Sequence, residues 1–103
     1  MGYKVRWTKP AIGDLGSIGD YIAKEDPQAA IKVGQALIDH VQILVGFPHI
    51  GTPYPRHGHG RAREILCLNY RIFYRIQAKQ QEVEILRIWH GARDEPKVKD
   101  LHI

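Results

Sequence analysis

The 103-residue chain predicts an α+β fold, one small and mainly antiparallel sheet with a helical hairpin on one face. Three observations predict it. Tyr3-Lys4-Val5-Arg6-Trp7 alternates apolar and charged residues, the period of a half-buried strand. Two stretches with apolar residues at helical spacing follow, separated by the break Glu25-Asp26-Pro27. Three short β-like runs then occupy residues 63–89. The order is strand, helix, helix and a three-stranded antiparallel meander, in one domain spanning residues 1–103.

Each element has its own signals. Thr8 is an N-cap with Pro10 in the first turn, and Ala11, Leu15, Ile18 and Ile22 recur at helical spacing, so residues 9–24 form the first helix. Gly13, Gly16 and Gly19 weaken it by roughly 1 kcal/mol each relative to alanine. They also make a small-residue strip, open to two readings: a partner groove, or close packing on the second helix. Asp26 caps that helix and Pro27 starts it. Ala30, Val33, Leu37, Val41 and Leu44 give its apolar stripe, and Gly46 and Pro48 end it, so it covers residues 27–45. A Gly/Pro/His loop is expected over residues 47–60. The strands follow at 63–68, 70–77 and 83–89. The second places Ile72, Tyr74 and Ile76 on one face and Arg71, Phe73 and Arg75 on the other. The third is apolar on both faces, and periodicity leaves its inner face open. The polar tail DEPKVKDLHI is expected to fray or dock weakly.

Composition bounds the function classes. A net charge of +4 with a sequence pI near 9.4 predisposes the chain toward polyanions or an acidic partner segment. No apolar run approaches the roughly 20 residues that span a bilayer, and the charged N-terminus is no signal peptide. Cys67, the one cysteine, fits a reducing cytoplasm.

The candidate site is a basic sheet face. Arg61 and Arg63 begin one strand, Arg71 and Arg75 share a face of the next, Arg87 lies in the last, and His90 and Arg93 lie at and past its end. With Phe73, such a face suits single-stranded RNA, since arginine holds phosphates and aromatic rings stack bases. RNA cleavage needs no protein nucleophile, because the 2′-hydroxyl attacks. The protein supplies cations and a proton, for which histidine is the usual group. The alternative is a solvated outer face, with Arg71 or Arg93 paired to an acid such as Glu64 or Asp94. In RHGHGRARE, His57 and His59 lack the further ligands of a zinc site. The stretch is expected to be a phosphate-facing rim. No metal and no cofactor are expected.

The patterns DLGSIGDYIAKEDPQAA, GRAREILCLNYRIFYRI and VEILRIWHGARD, in this order and at this length, resemble the RelE/ParE superfamily of toxins from bacterial type II toxin–antitoxin modules. The resemblance runs from Tyr3 to Asp94. It implies a RelE/ParE-like fold and a growth-inhibiting toxin held inactive by a cognate antitoxin with an acidic or amphipathic segment. RelE-like members enter the ribosomal A site and cut mRNA, whereas ParE-like members poison DNA gyrase and are not nucleases. Arg93 stands where RelE-like ribonucleases carry a catalytic arginine, and Arg71 matches the arginine before the second strand's apolar run. Arg61 and Arg63 match two basic residues of the preceding strand with a one-residue gap. RelE-like enzymes often place a tyrosine or histidine near the C-terminus. No tyrosine follows Tyr74, so His90, Lys97, Lys99 and His102 are the available groups. The expected function is ribosome-dependent mRNA cleavage by Arg71, Arg93 and His90, with Arg61, Arg63, Arg75, Arg87 and Phe73 binding RNA. The alternatives are gyrase inhibition without nuclease activity, and an inactive toxin that only binds its antitoxin.

Overall fold

The computed structural model describes residues 2–55 and 61–103. Strand β1 (Lys4–Trp7) leads into α1 (Lys9–Ala23) and α2 (Pro27–His40), followed by a single short turn of helix, α3 (Ile43–Gly46). Strands β2 (Thr52–Tyr54), β3 (Ala62–Cys67), β4 (Tyr70–Gln77) and β5 (Glu82–His90) follow, and a 3₁₀ turn (Val98–Leu101) lies beyond them. The sheet order is β1-β5-β4-β3-β2, with β1 parallel to β5 and the other pairs antiparallel. This is the expected α+β arrangement, extended by one strand.

The caps are where the sequence puts them. The Thr8 side chain accepts from the Ala11 amide at 3.4 Å and donates to the Ile85 carbonyl at 2.7 Å, so it caps α1 and ties it to β5. Asp26 accepts from the Ala29 amide at 3.0 Å. The second helix ends five residues earlier than its apolar stripe predicts. The amides of Gln42 and Leu44 reach back only three residues, to Asp39 and Val41. This tightening turns the chain so that Val41 and Leu44 are both fully buried. The glycine strip of α1 does not pack on α2: a Cβ on Gly13, Gly16 or Gly19 would meet nothing within 4 Å.

Strand β2 was expected to be loop. Its three residues contain Pro53, which lacks a donor and is tolerated at a sheet edge. Thr52, Pro53 and Tyr54 face Glu64, Arg63 and Ala62 of β3. The Tyr74 hydroxyl, fully buried, donates to the Pro48 carbonyl and accepts from the Gly51 amide, fixing the approach to this strand. Gly51 is required there, because a Cβ would lie 2.5 Å from that hydroxyl.

The sheet is buried on both faces. One face carries Ile72, Tyr74, Val83, Ile85 and Ile88 against Ala11, Leu37, Val41 and Leu44 of the helices. The other carries Tyr54, Ala62, Phe73, Leu86 and Trp89, covered by Leu101. A bulge explains why β5 reads as apolar on both faces. Phe73 pairs with Arg87 and Tyr74 with Ile85, leaving Leu86 as the extra residue. The phase of the alternation shifts there. Ile85 and Ile88, three apart, both reach the helical core, while Leu86 and Trp89 both reach the second one.

The tail docks on the second face. Leu101 is fully buried, and four side chains of the second face hold the segment before it. Trp89 Nε1 donates to the Asp94 carbonyl at 2.7 Å and the Tyr54 hydroxyl to the Pro96 carbonyl at 2.6 Å. Arg71 pairs with Glu95, and Arg87 donates to the Asp100 carbonyl at 3.0 Å.

Candidate functional site

The basic residues named from the sequence do not form one open face. Arg71 opposes Trp89 across the β4–β5 ladder, and its guanidinium is bound twice by Glu64, Nε to Oε2 at 2.7 Å and Nη2 to Oε1 at 3.0 Å. Nη1 meets Glu95 at 3.0 Å. The side chains of Arg71 and Glu64 are only 15% and 8% exposed. The hydrogen bond to Glu64 is the main reason the Arg71 pKa rises further above its ordinary value. The same guanidinium lies 5.1 Å from the Phe73 ring centroid and 5.6 Å from that of Tyr54. A phosphate reaching Arg71 would have to displace two carboxylates.

Phe73 is fully buried and makes an edge contact with Tyr54, ring centroids 4.8 Å apart. The expectation that it stacks RNA bases is therefore corrected: its alternating position puts it on the second face, and the C-terminal segment covers that face. Arg75 pairs with Glu84 at 2.8 Å. Glu84 also accepts from Gln77 and Arg6 and is 5% exposed. Burial opposes its ionisation, but the hydrogen bonds from Gln77 and Arg75 and the charges of Arg75 and Arg6 outweigh it and hold the carboxyl below its ordinary pKa. Arg87 sits at the bulge and forks onto Asp14 of α1 at 2.7 and 2.8 Å. Asp14 also accepts from the Ile88 amide at 2.9 Å, beyond the end of β1, where the edge of β5 is otherwise open. Arg87 is thus a clamp between helix, sheet and tail rather than a free phosphate contact.

Arg93, His90, Arg61 and Arg63 differ from these. Arg93 is exposed and stacks on Trp89, its guanidinium carbon 3.6 Å from the ring centroid, with no ion pair among the described residues. His90 is exposed, its Nδ1 accepting from the Ala92 amide at 3.0 Å and its ring edge-on to Tyr70. Tyr70 pairs with His90 across the ladder, so the start of β4 and the end of β5 are neighbours. Arg63 donates to the His49 and Gly51 carbonyls, and Arg61 is exposed beside it, lining a small cleft with His49 and Arg75. His102 is exposed in a left-handed conformation just past the 3₁₀ turn. Arg56, His57 and His59 lie outside the described residues. Among the described residues, no three His, Cys, Asp or Glu side chains are grouped to hold a metal, and no helix is long and apolar enough to cross a membrane.

Two features were missed in the sequence. Glu95 lies in the tail expected to fray or dock weakly, and Asp14 was given no role. Neither has a local signal, since each acts across more than twenty residues of chain.

Comparison with known proteins follows the same lines. The model of the ParE toxin of the type II toxin–antitoxin system parDE matches residues 5–95. Y4kP of Sinorhizobium fredii (strain NBRC 101917 / NGR234), a protein bearing a toxin name, is 36% identical over 100 residues, covering 92% of this chain and 95% of its own. Among solved structures, the chromosomal ParDE toxin–antitoxin system of P. aeruginosa superposes with a TM-score of 0.69 at 25% identity, over 85% of this chain and 95% of that one. The toxin–antitoxin complex RelBE2 of Mycobacterium tuberculosis gives 0.66 at 27% identity, over 87% and 99%. The isolated Escherichia coli RelE toxin gives 0.65 at 16% identity, over 90% and 88%, a likeness of fold alone. With its hairpin of two long helices, its five-stranded sheet and a family match over nearly its whole length, the chain belongs to the ParE toxins of type II toxin–antitoxin systems, within the RelE/ParE superfamily.

Proposed function

We propose that this toxin inhibits growth by acting on DNA gyrase, that it cuts no mRNA, and that a cognate antitoxin holds it inactive. The observation that carries this reading is Arg71. The resemblance to RelE-like ribonucleases gives that guanidinium the role of meeting a developing negative charge, and here Glu64 and Glu95 already occupy it. Phe73 is inside the second core, and Arg75 and Arg87 are committed to Glu84 and Asp14. Among the described residues of the basic set, what is left for a target is the rim: Arg93 stacked on Trp89, His90 beside Tyr70, and Arg61 with Arg63 at the far end of the sheet. Such a rim suits protein recognition, where arginine and aromatic side chains often supply most of the affinity. The antitoxin part rests on the ParDE and RelBE2 relatives, which are toxin–antitoxin pairs.

Cleavage of mRNA is the second reading, favoured by Arg93 alone, which is exposed and free of ion pairs among the described residues. One pair of assays separates the two. Purified toxin is added to gyrase with supercoiled DNA, and separately to a translating ribosome system. Trapped DNA breaks with intact mRNA are expected. Ribosome-bound mRNA cut by the wild type and spared by Arg93→Ala would overturn the proposal.

A further inference from the structure

Beside Arg71 the surface opens into a cleft of about 490 Å³ between the α2–α3 corner and the sheet. Its walls include Ile43, Ile50 and Leu66, which are 40%, 55% and 66% exposed. A second cleft adjoins it and shares Leu66 and Arg71, continuing past Leu68, itself 63% exposed. The aliphatic surface is therefore a strip and not a set of isolated residues.

The charges at its centre are unusual for this protein. The chain carries +4 overall, yet among the described residues the charged side chains lining the first cleft are one guanidinium, Arg71, and two carboxylates, Glu64 and Glu95, with the imidazole of His40 also on its wall. Glu64 is buried and takes two of Arg71's donors. The Glu95 side chain is 69% exposed, so its carboxylate faces the opening as well as Arg71. Among the described residues, and with His40 neutral, one negative charge is in excess there.

We propose that this cleft is a docking site for a segment of the antitoxin whose aliphatic side chains cover Ile43, Ile50 and Leu66 and whose single lysine or arginine meets Glu95. The inference rests on the antitoxin reading above. It reverses the simplest electrostatic expectation, in which an acidic segment would place a carboxylate against Arg71. An overall acidic antitoxin is still drawn to a +4 toxin at long range. The local inversion of sign then fixes register. A segment shifted along the groove places a carboxylate against Glu95, and like charges held together penalise that alignment.

The test titrates the purified cognate antitoxin against wild type and three variants: Glu95→Gln, Glu95→Lys and Leu66→Asp. Circular dichroism confirms that each variant is folded. Weakening of several-fold is expected for Glu95→Gln and of at least tenfold for Glu95→Lys and Leu66→Asp. Replacing the responsible basic residue of the antitoxin by glutamate is expected to restore binding to Glu95→Lys. Unchanged affinity in all three folded variants overturns the cleft and leaves the antitoxin reading standing. A wild type that binds no cognate antitoxin overturns both.

Discussion

Arg71→Ala separates a scaffold residue from a catalytic one. Removing the guanidinium leaves Glu64 with no cation in a nearly closed site. A loss of about 2–3 kcal/mol is expected in urea unfolding, below the range for fully enclosed pairs because solvent reaches one edge. Toxicity per folded molecule is expected to persist. Glu84 gives a pH signature. Its pKa is lowered in the folded state. Its contribution is therefore fully present above the ordinary glutamate value of about 4.3 and is lost as pH falls through the lower folded value. Thermal melts from pH 6 to 3 are expected to show a steep acid limb in wild type and a flatter one in Glu84→Gln. Part of this chemistry was legible in the sequence. Glu64 was a nameable partner for Arg71, because both lie in adjacent strands of a meander. Asp14 as the partner of Arg87 was not, since the two are 73 residues apart and meet only when α1 lies along β5.

At the level of elements, periodicity identified what obeys one period throughout. The amphipathic helices, with Thr8 and Asp26 at their starts, and the alternating β4 were legible to within a residue or two at most ends. What periodicity missed has a physical reason in each case. Strand β2 has three residues and a proline, too few for a pattern. In β5 the bulge at Leu86 shifts the phase, so two interleaved half-patterns read as none. The early end of α2 comes from the two short turns at Gln42 and Leu44, which leave the apolar stripe intact while turning the axis. The glycines of α1 were readable as a strip but not as facing open space. Gly16→Ala therefore tests what the strip is for. With no neighbour to displace, it is expected to stabilise the free toxin by about 0.5–1 kcal/mol through helix propensity. If the antitoxin also presses its backbone there, the same variant loses affinity for it, which an isothermal titration reads directly.

For the whole molecule, the sheet is the middle layer of three, with helices on one side and the C-terminal segment on the other. The second core is small, so each residue in it counts. Leu101→Ala is expected to cost about 2–4 kcal/mol, measured by denaturant unfolding. It is also expected to raise the solvent accessibility of Trp89, seen as faster acrylamide quenching if Trp7 is first replaced by phenylalanine. The parallel pairing of β1 with β5 has a consequence for synthesis in the cell. Chains are made from the N-terminus at about 5–20 residues per second. The helical hairpin is thus complete while β5, which both β1 and α1 need, has not yet been translated. For several seconds Ala11, Leu37, Val41 and Leu44 have no sheet to cover them. An unfinished copy is a chain with an open apolar stripe, vulnerable to proteases and chaperones, and has no assembled rim. The rim exists only after nearly the entire message has been read, so the part of the fold that could meet a target is the last to be made.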